Sequence, residues 1–144
     1  MNEVTYVSPF GTGQPMSFEL AQELARLTPE TINHVFFVNS GSEAVDTAIK
    51  IAMAYHYAKG ERRSRFVSRE RAYHGVNIGG VSLSGMVNNR RAFSGTMPDV
   101  VHMRHTWTDE ELFTPGQRTT GADRAEDLQR IVDNYGADTI AAEF

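Results

Sequence analysis

The chain has 144 residues, 40% of them hydrophobic and 22% charged, which suits one ordinary folded domain and argues against disorder. It has no cysteine, which rules out disulfides, thiolate metal sites and thiol nucleophiles, and its net charge of −4 gives no general attraction for nucleic acid. No apolar run is long enough to span a bilayer and no signal-peptide pattern opens the chain, so a cytoplasmic protein without membrane or nucleic-acid partners is expected.

Residues 1–16 are rich in Gly and Pro, with Pro9, Gly11, Gly13 and Pro15, and read as an irregular lead-in. Ser17 is placed to cap a helix running to about Leu27, with Leu20, Leu24 and Leu27 on one side and Pro29 as the stop. His34 to Val38 is a short β-branched and aromatic run that predicts a buried strand. A turn at Asn39–Ser42 follows, and then a helix from about Ser42 to Lys59 with Gly60 as its stop. Val45, Ala48, Ile49, Ala52, Met53 and His56 share the apolar face of that helix. Glu43, Asp46 and Lys50 fall on the opposite, polar side, where Asp46 and Lys50 form a favourable i,i+4 pair. Arg62, Arg63 and Arg65 then read as a solvated basic turn.

Phe66 to Ser68 predicts a second strand, with Tyr73-His74-Gly75 in the loop after it. Residues 76–84 fit either a short helix or a loop, and periodicity does not decide. Val100 to Met103 predicts a third strand, and residues 104–122 look irregular. Asp123 with Glu126 resembles a capping box for a helix carrying Leu128, Ile131, Val132 and Tyr135 on its apolar stripe, ended by Gly136. Thr139 to Ala142 opens a further strand. Strand alternating with helix is the pattern of an α/β fold with a largely parallel sheet flanked by helices. Ligands of such sheets sit beyond the C-terminal strand ends, so Asn39–Ser42 and Tyr73–Gly75 are expected to open on one edge.

The segment N-S-G-S-E-A at 39–44 joins a tight turn to a helix start. Unpaired N–H groups and the positive end of the macrodipole make Gly41 and Ser42 a candidate anion site, with the serine hydroxyl as an added donor. The same residues also fit an ordinary capped helix start, since Ser40 with Glu43 is itself a capping box. The spacing matches neither a P-loop nor G-x-G-x-x-G. Tyr73 beside Gly75 can stack on a flat ring, or simply pack its loop down. His102 and His105 have H-x-x-H spacing without a Glu or third His, which reads as a loop pair and not a metal site. Ser82 and Ser84 make no G-x-S-x-G elbow.

Taken together, H-V-F-F-V-N-S-G-S-E-A-V-D-T-A-I-K-I-A (34–52), R-A-Y-H-G-V-N-I-G-G-V-S (71–82), G-M-V-N-N-R (85–90) and D-T-I-A-A (138–142) resemble the class III, or ω-amino acid, aminotransferases, most of all their β-alanine–pyruvate branch. The lead-in F-G-T-G-Q-P-x-x-F-E-L-A (10–21) is similar too. The resemblance implies part of the large domain of a fold-type I transaminase over residues 17–144, with pyridoxal 5′-phosphate (PLP) as cofactor. It implies that Gly41 and Ser42 hold the PLP phosphate and that Tyr73 stacks on its ring, while His74 stands beside it. It also implies transfer of an amino group from an ω-amino acid or amine donor to pyruvate, in a homodimer. Another class III activity on ornithine or 4-aminobutyrate, a non-catalytic PLP or phosphate-ligand module, and a purely structural fragment remain alternatives.

The family's Schiff-base lysine and the aspartate that pairs with the pyridine nitrogen are expected beyond Phe144, which makes these residues a fragment inactive by itself. Neither of the two lysines present fits that role. Lys50 lies about 12 Å along the helix from Ser42 at 1.5 Å per residue, and Lys59 lies farther. The family's apolar run before a Glu-Pro is absent at Glu143-Phe144, so the family glutamate is not assigned to Glu143.

Overall fold

The computed structural model describes residues 6–8, 10–93, 97–109, 113, 115–116 and 121–144. Two compact units are present, Met1–Phe37 and Val38–Phe144.

In the first unit, helix α1 spans Pro15–Leu27. Its cap lies three residues ahead of the expected Ser17: Gln14 is the N-cap and Pro15 takes N1, where its missing N–H costs nothing. Thr28 closes the helix, its N–H donating to the Leu24 carbonyl at 3.1 Å. The strand expected at His34–Val38 does not form, and Val35, Phe36 and Phe37 are exposed. Strand composition alone does not make a strand. Its N–H and C=O groups need a neighbouring ladder, and no described strand pairs with this run.

The second unit opens with helix α2, Gly41–Ala58. Its C-terminus closes with two reversed hydrogen bonds, Gly60 N–H to Tyr57 and Glu61 N–H to His56, at 3.0 and 2.9 Å. Strands β1 (Arg65–Arg69), β2 (Val100–Met103) and β3 (Ile140–Glu143) form a parallel sheet in the order β2-β1-β3. β1 is central, and Phe66, Val67 and Ser68 are fully buried, as a parallel sheet covered on both faces requires.

The two-residue period of β1 divides the core. Phe66 packs with Ile49 of α2 and Leu83 of helix α3 (Ile78–Leu83). Val67 points the other way, into Met103 and Ile131 of helix α6 (Asp127–Tyr135). The undecided stretch at 76–84 is therefore helical where Leu83 is needed in the core. Helix α4 (Val87–Arg90) follows α3.

The capping box expected at Asp123 is not present. Asp123 lies inside helix α5 (Gly121–Ala125), and the chain breaks at Glu126 before α6. The break turns Asp127, only 3% exposed, toward β2. There it accepts from the Arg104 backbone N–H at 2.8 Å and from the Arg104 guanidinium at 2.7–3.0 Å. A short 3-10 turn, Ala137–Thr139, then leads from Gly136 into β3.

At the other end of the sheet, His56 joins α2 to β3. Its ring nitrogens contact Glu61 at 2.8 Å and the Ala141 carbonyl at 3.0 Å. Hydrogen bonds from His56 and then Arg63 hold the Glu61 carboxyl well below the usual carboxylate range, at about 2. Among the described residues no helix is long and apolar enough to cross a membrane.

Candidate functional site

The first turn of α2 is capped in a shifted register. Ser40 Oγ accepts from the Glu43 N–H at 3.2 Å, while the Glu43 carboxylate accepts from the Asn39 N–H at 2.8 Å. The Ser40 carbonyl takes the Ala44 N–H at 3.0 Å. These bonds use the N–H groups on either side of Gly41 and Ser42. The N–H groups of Gly41 and Ser42 themselves have no partner among the described residues. They sit at the positive end of an 18-residue helix. A Cβ added at Gly41 would meet no atom within 4 Å. The helix start therefore offers two free donors facing open space.

The loop after β1 closes onto that start. The Val76 N–H donates to Ser42 Oγ at 3.0 Å. Because the oxygen acts as acceptor in this bond, the Ser42 hydroxyl proton is left to donate elsewhere. Gly75 permits the approach. Its φ is +107°, and a Cβ there would fall 2.6 Å from Ser42 Oγ and 2.9 Å from Ser42 Cα. The two loops singled out in the sequence thus meet, although no strand leads into the first of them.

Tyr73 lies on this same loop with its side chain 57% exposed. Beside it His74 turns inward. Its Nε2 shares a 2.9 Å hydrogen bond with the fully buried Ser68 Oγ, and its ring meets Phe144 edge-on at 6.3 Å. Burial, and secondarily the nearby His102, push the His74 pKa below its ordinary value. The neutral ring anchors the residue next to Tyr73 to the central strand.

Asp46 departs from its expected place. It is half-buried against α3 and accepts from the Gly80 N–H at 3.3 Å, and no ion pair joins it to Lys50. The buried side of α2 runs through Ser42, Val45, Asp46, Ile49, Ala52 and His56, leaving Ala48 and Met53 exposed. Helical periodicity cannot show that a neighbour's free N–H will draw a carboxylate inward. Lys50 is exposed. Lys59 pairs with Glu61 at 3.5 Å and lies 5.2 Å over the Tyr55 ring, at the far end of the helix. A separate apolar cavity of about 690 Å³ lies among Tyr6, Phe10, Phe18 and Phe36 of the first unit and holds none of the candidate residues.

The family model for class-III aminotransferases matches residues 1–143. The chain belongs to this family. It is 44% identical over 142 residues to an omega-aminotransferase of Caulobacter vibrioides, covering 97% of this chain and 32% of the relative. It is 42% identical over 144 residues to the beta-alanine–pyruvate aminotransferase of Pseudomonas aeruginosa, covering 99% and 32%. Among solved structures, an (S)-enantioselective omega-transaminase from Thermomicrobium roseum superposes with a TM-score of 0.81 at 32% identity, covering 94% of this chain and 31% of that one. An amine transaminase from an uncultivated Pseudomonas species, in its PLP-bound form, also gives 0.81 at 29% identity, covering 96% and 32%.

This class-III chain spans about a third of the length of the curated relatives it matches. Its parallel sheet with flanking helices is the α/β architecture of fold-type I transaminases. Gly41, Ser42 and Tyr73, the residues expected at the site, lie on segments joined by the Ser42–Val76 hydrogen bond, while the contacts of Gly75 and Asp46 were not foreseen. The glycine in Y-H-G was the available signal for a close backbone approach.

Proposed function

We propose that these residues form the cofactor-binding part of a PLP-dependent transaminase that moves an amino group from an ω-amino acid or amine to pyruvate. The observation that carries this is the Ser42–Val76 hydrogen bond, which brings two free helix N–H groups and the Tyr73 loop together. The residues present fit the cofactor. A phosphate suits the Gly41 and Ser42 N–H groups, the open space at Gly41 and the Ser42 hydroxyl as third donor. An exposed aromatic ring on the adjoining loop suits a pyridine face. When bound, PLP supplies an electron sink for carbanion chemistry.

The chain's own residues bind and orient. Gly41 and Ser42 fix the anionic end, Tyr73 fixes the ring plane, and the His74–Ser68 bond holds the Tyr73 loop against β1. Residues 17–144 then constitute an incomplete large domain preceded by a lead-in at 1–16. The Schiff-base lysine is neither Lys50 nor Lys59, and the 144 residues alone are inactive. The complete enzyme is a cytoplasmic homodimer. Ile51 and Tyr55, exposed along the outer face of α2 at 55% and 58%, support a covering partner.

The test is PLP titration of the complete chain followed by its absorbance, with pyruvate and β-alanine as substrates. Saturable PLP binding lost in Ser42→Ala, together with pyruvate-dependent turnover, is expected. PLP affinity equal in Ser42→Ala and the parent would overturn the phosphate assignment.

A further inference from the structure

A second cavity opens beyond the C-terminal ends of β1 and β2. Its volume is about 330 Å³, and it is lined by Glu70, Arg71, Gly85, Arg90, His102 and His105, with Val87 at its edge. Glu70 and Arg71 directly follow β1, His102 belongs to β2 and His105 follows it. Parallel sheets place their ligands at this edge.

The charges lining the cavity are not balanced among the described residues. Arg71 and Arg90 pair with no carboxylate among the described residues. Arg71 instead lies 4.6 Å over the Trp107 ring, held on a backbone with φ +64°. A left-handed arginine is uncommon, and such strain gathers at binding sites. Gly85 packs on the backbone of Glu70 and Arg71, where a Cβ would come within 2.5 Å of the Arg71 nitrogen, and so holds that turn in place.

Arg90 is held by a neutral partner. Its guanidinium lies 3.2 Å from His102 Nδ1, while His102 Nε2 lies 3.0 Å from the Leu83 carbonyl. The carbonyl needs the proton on Nε2, so Nδ1 accepts from Arg90. Burial lowers the His102 pKa in the same sense. Glu70 accepts the His105 backbone N–H at 3.3 Å. His105 Nδ1 is buried without a hydrogen-bond partner among the described residues. Two guanidinium groups against one carboxylate leave a single positive charge, next to an unused imidazole nitrogen.

The geometry points to a binding site for a small monocarboxylate, with Arg90 and Arg71 taking the carboxylate. One excess positive charge matches a carboxylate better than a phosphate dianion, and a planar guanidinium matches it edge to edge. That this carboxylate is the substrate's rests on the transaminase reading above; the site itself does not.

The test is calorimetric titration of the complete chain, without PLP, using pyruvate, acetate and inorganic phosphate. Saturable binding of pyruvate and acetate is expected, with phosphate weaker than both. Arg90→Gln keeps a donor for His102 and should weaken pyruvate at least tenfold. Arg71→Gln should weaken it severalfold, Arg90→Lys should recover part of the loss, and Arg62→Gln, exposed ahead of the N-terminal end of β1, should change nothing. Undiminished pyruvate affinity in both Arg90→Gln and Arg71→Gln would overturn the site, as would phosphate binding tighter than pyruvate. PLP absorbance, read separately, keeps the two ideas apart. A chain that takes PLP but whose pyruvate binding ignores Arg90 loses only this site. A chain with Arg90-dependent pyruvate binding and no PLP affinity keeps the site and counts against the transaminase reading.

Discussion

Ser42 Oγ accepts the Val76 N–H at 3.0 Å, and this bond exists only because Gly75 lets the loop backbone lie against Ser42. Gly75→Ala meets two obstacles, a φ of +107° and a Cβ 2.6 Å from Ser42 Oγ. The expected cost is more than about 1 kcal/mol of stability, with weakened PLP binding from displacement of Ser42. Urea unfolding and PLP titration of the same variant measure both. Stability equal to the parent's would mean the two loops are not locked together.

Gly41 behaves differently because nothing surrounds it. Gly41→Val should leave stability within about 0.5 kcal/mol of the parent, as for an open surface position. It should still reduce PLP affinity, because the branched side chain fills the space assigned to the phosphate. Gly75→Ala is thus expected to lose fold and ligand together, and Gly41→Val ligand alone. A Gly41→Val chain that binds PLP as tightly as the parent would place the phosphate elsewhere.

The contrast between these glycines shows how far the sequence could be read. α2, β1, β2 and β3 were legible because each carries a local pattern: a helical apolar face, or a short β-branched run between turns. Gly41 and Ser42 were legible because a helix start presents its donors wherever it lies. His34–Val38 failed because a strand needs a neighbour, and composition carries no record of one. Asp46 failed for a related reason: the Gly80 N–H that draws it inward lies 34 residues along the chain. The Arg90–His102 contact was hidden too, since H-x-x-H spacing prompts a search for metal ligands and not for a neutral acceptor holding an arginine.

Tyr73 presents an exposed ring, so the face and not the hydroxyl should matter. Tyr73→Ala is expected to weaken PLP retention by about 2–10-fold, the range for loss of an aromatic contact worth 0.5–1.5 kcal/mol. Tyr73→Phe should lose much less. Release of PLP on dialysis, followed by absorbance, distinguishes them. Equal losses in both variants would assign the role to the hydroxyl.

The Arg104–Asp127 pair predicts an acid-sensitive fold. Hydrogen bonds from Arg104 hold the buried Asp127 carboxyl at about 2, below its ordinary 3.8. Because the folded value is depressed, the stabilisation is fully present above about pH 4 and is lost as pH falls toward 2. Arg104 is half exposed, so solvent screening weakens the contribution without removing it. Urea unfolding at pH 5 and pH 3 should show this loss in the parent and a smaller one in Asp127→Asn. The same pH dependence in both would remove Asp127 from the explanation.

The last prediction concerns the two lysines. A lysine that bonds covalently to PLP must reach the cofactor's carbonyl carbon and shed its proton near neutral pH. Lys50 is exposed on α2, about 12 Å along the axis from Ser42. Lys59 lies about 25 Å away, paired with Glu61 and over the Tyr55 ring. Neither is built for the task. The 144 residues alone are therefore expected to show no transamination of β-alanine and pyruvate. Free lysines react with PLP nonspecifically, so colour is not the readout. Borohydride reduction at equimolar PLP, followed by peptide mapping, should find sparse label spread over Lys50, Lys59 and the N-terminus. Lys50→Arg and Lys59→Arg in the complete chain should each keep turnover within about twofold of the parent, a change of under about 0.5 kcal/mol in the barrier. Stoichiometric label on one of these lysines, with loss of turnover in its arginine variant, would make it the catalytic amine.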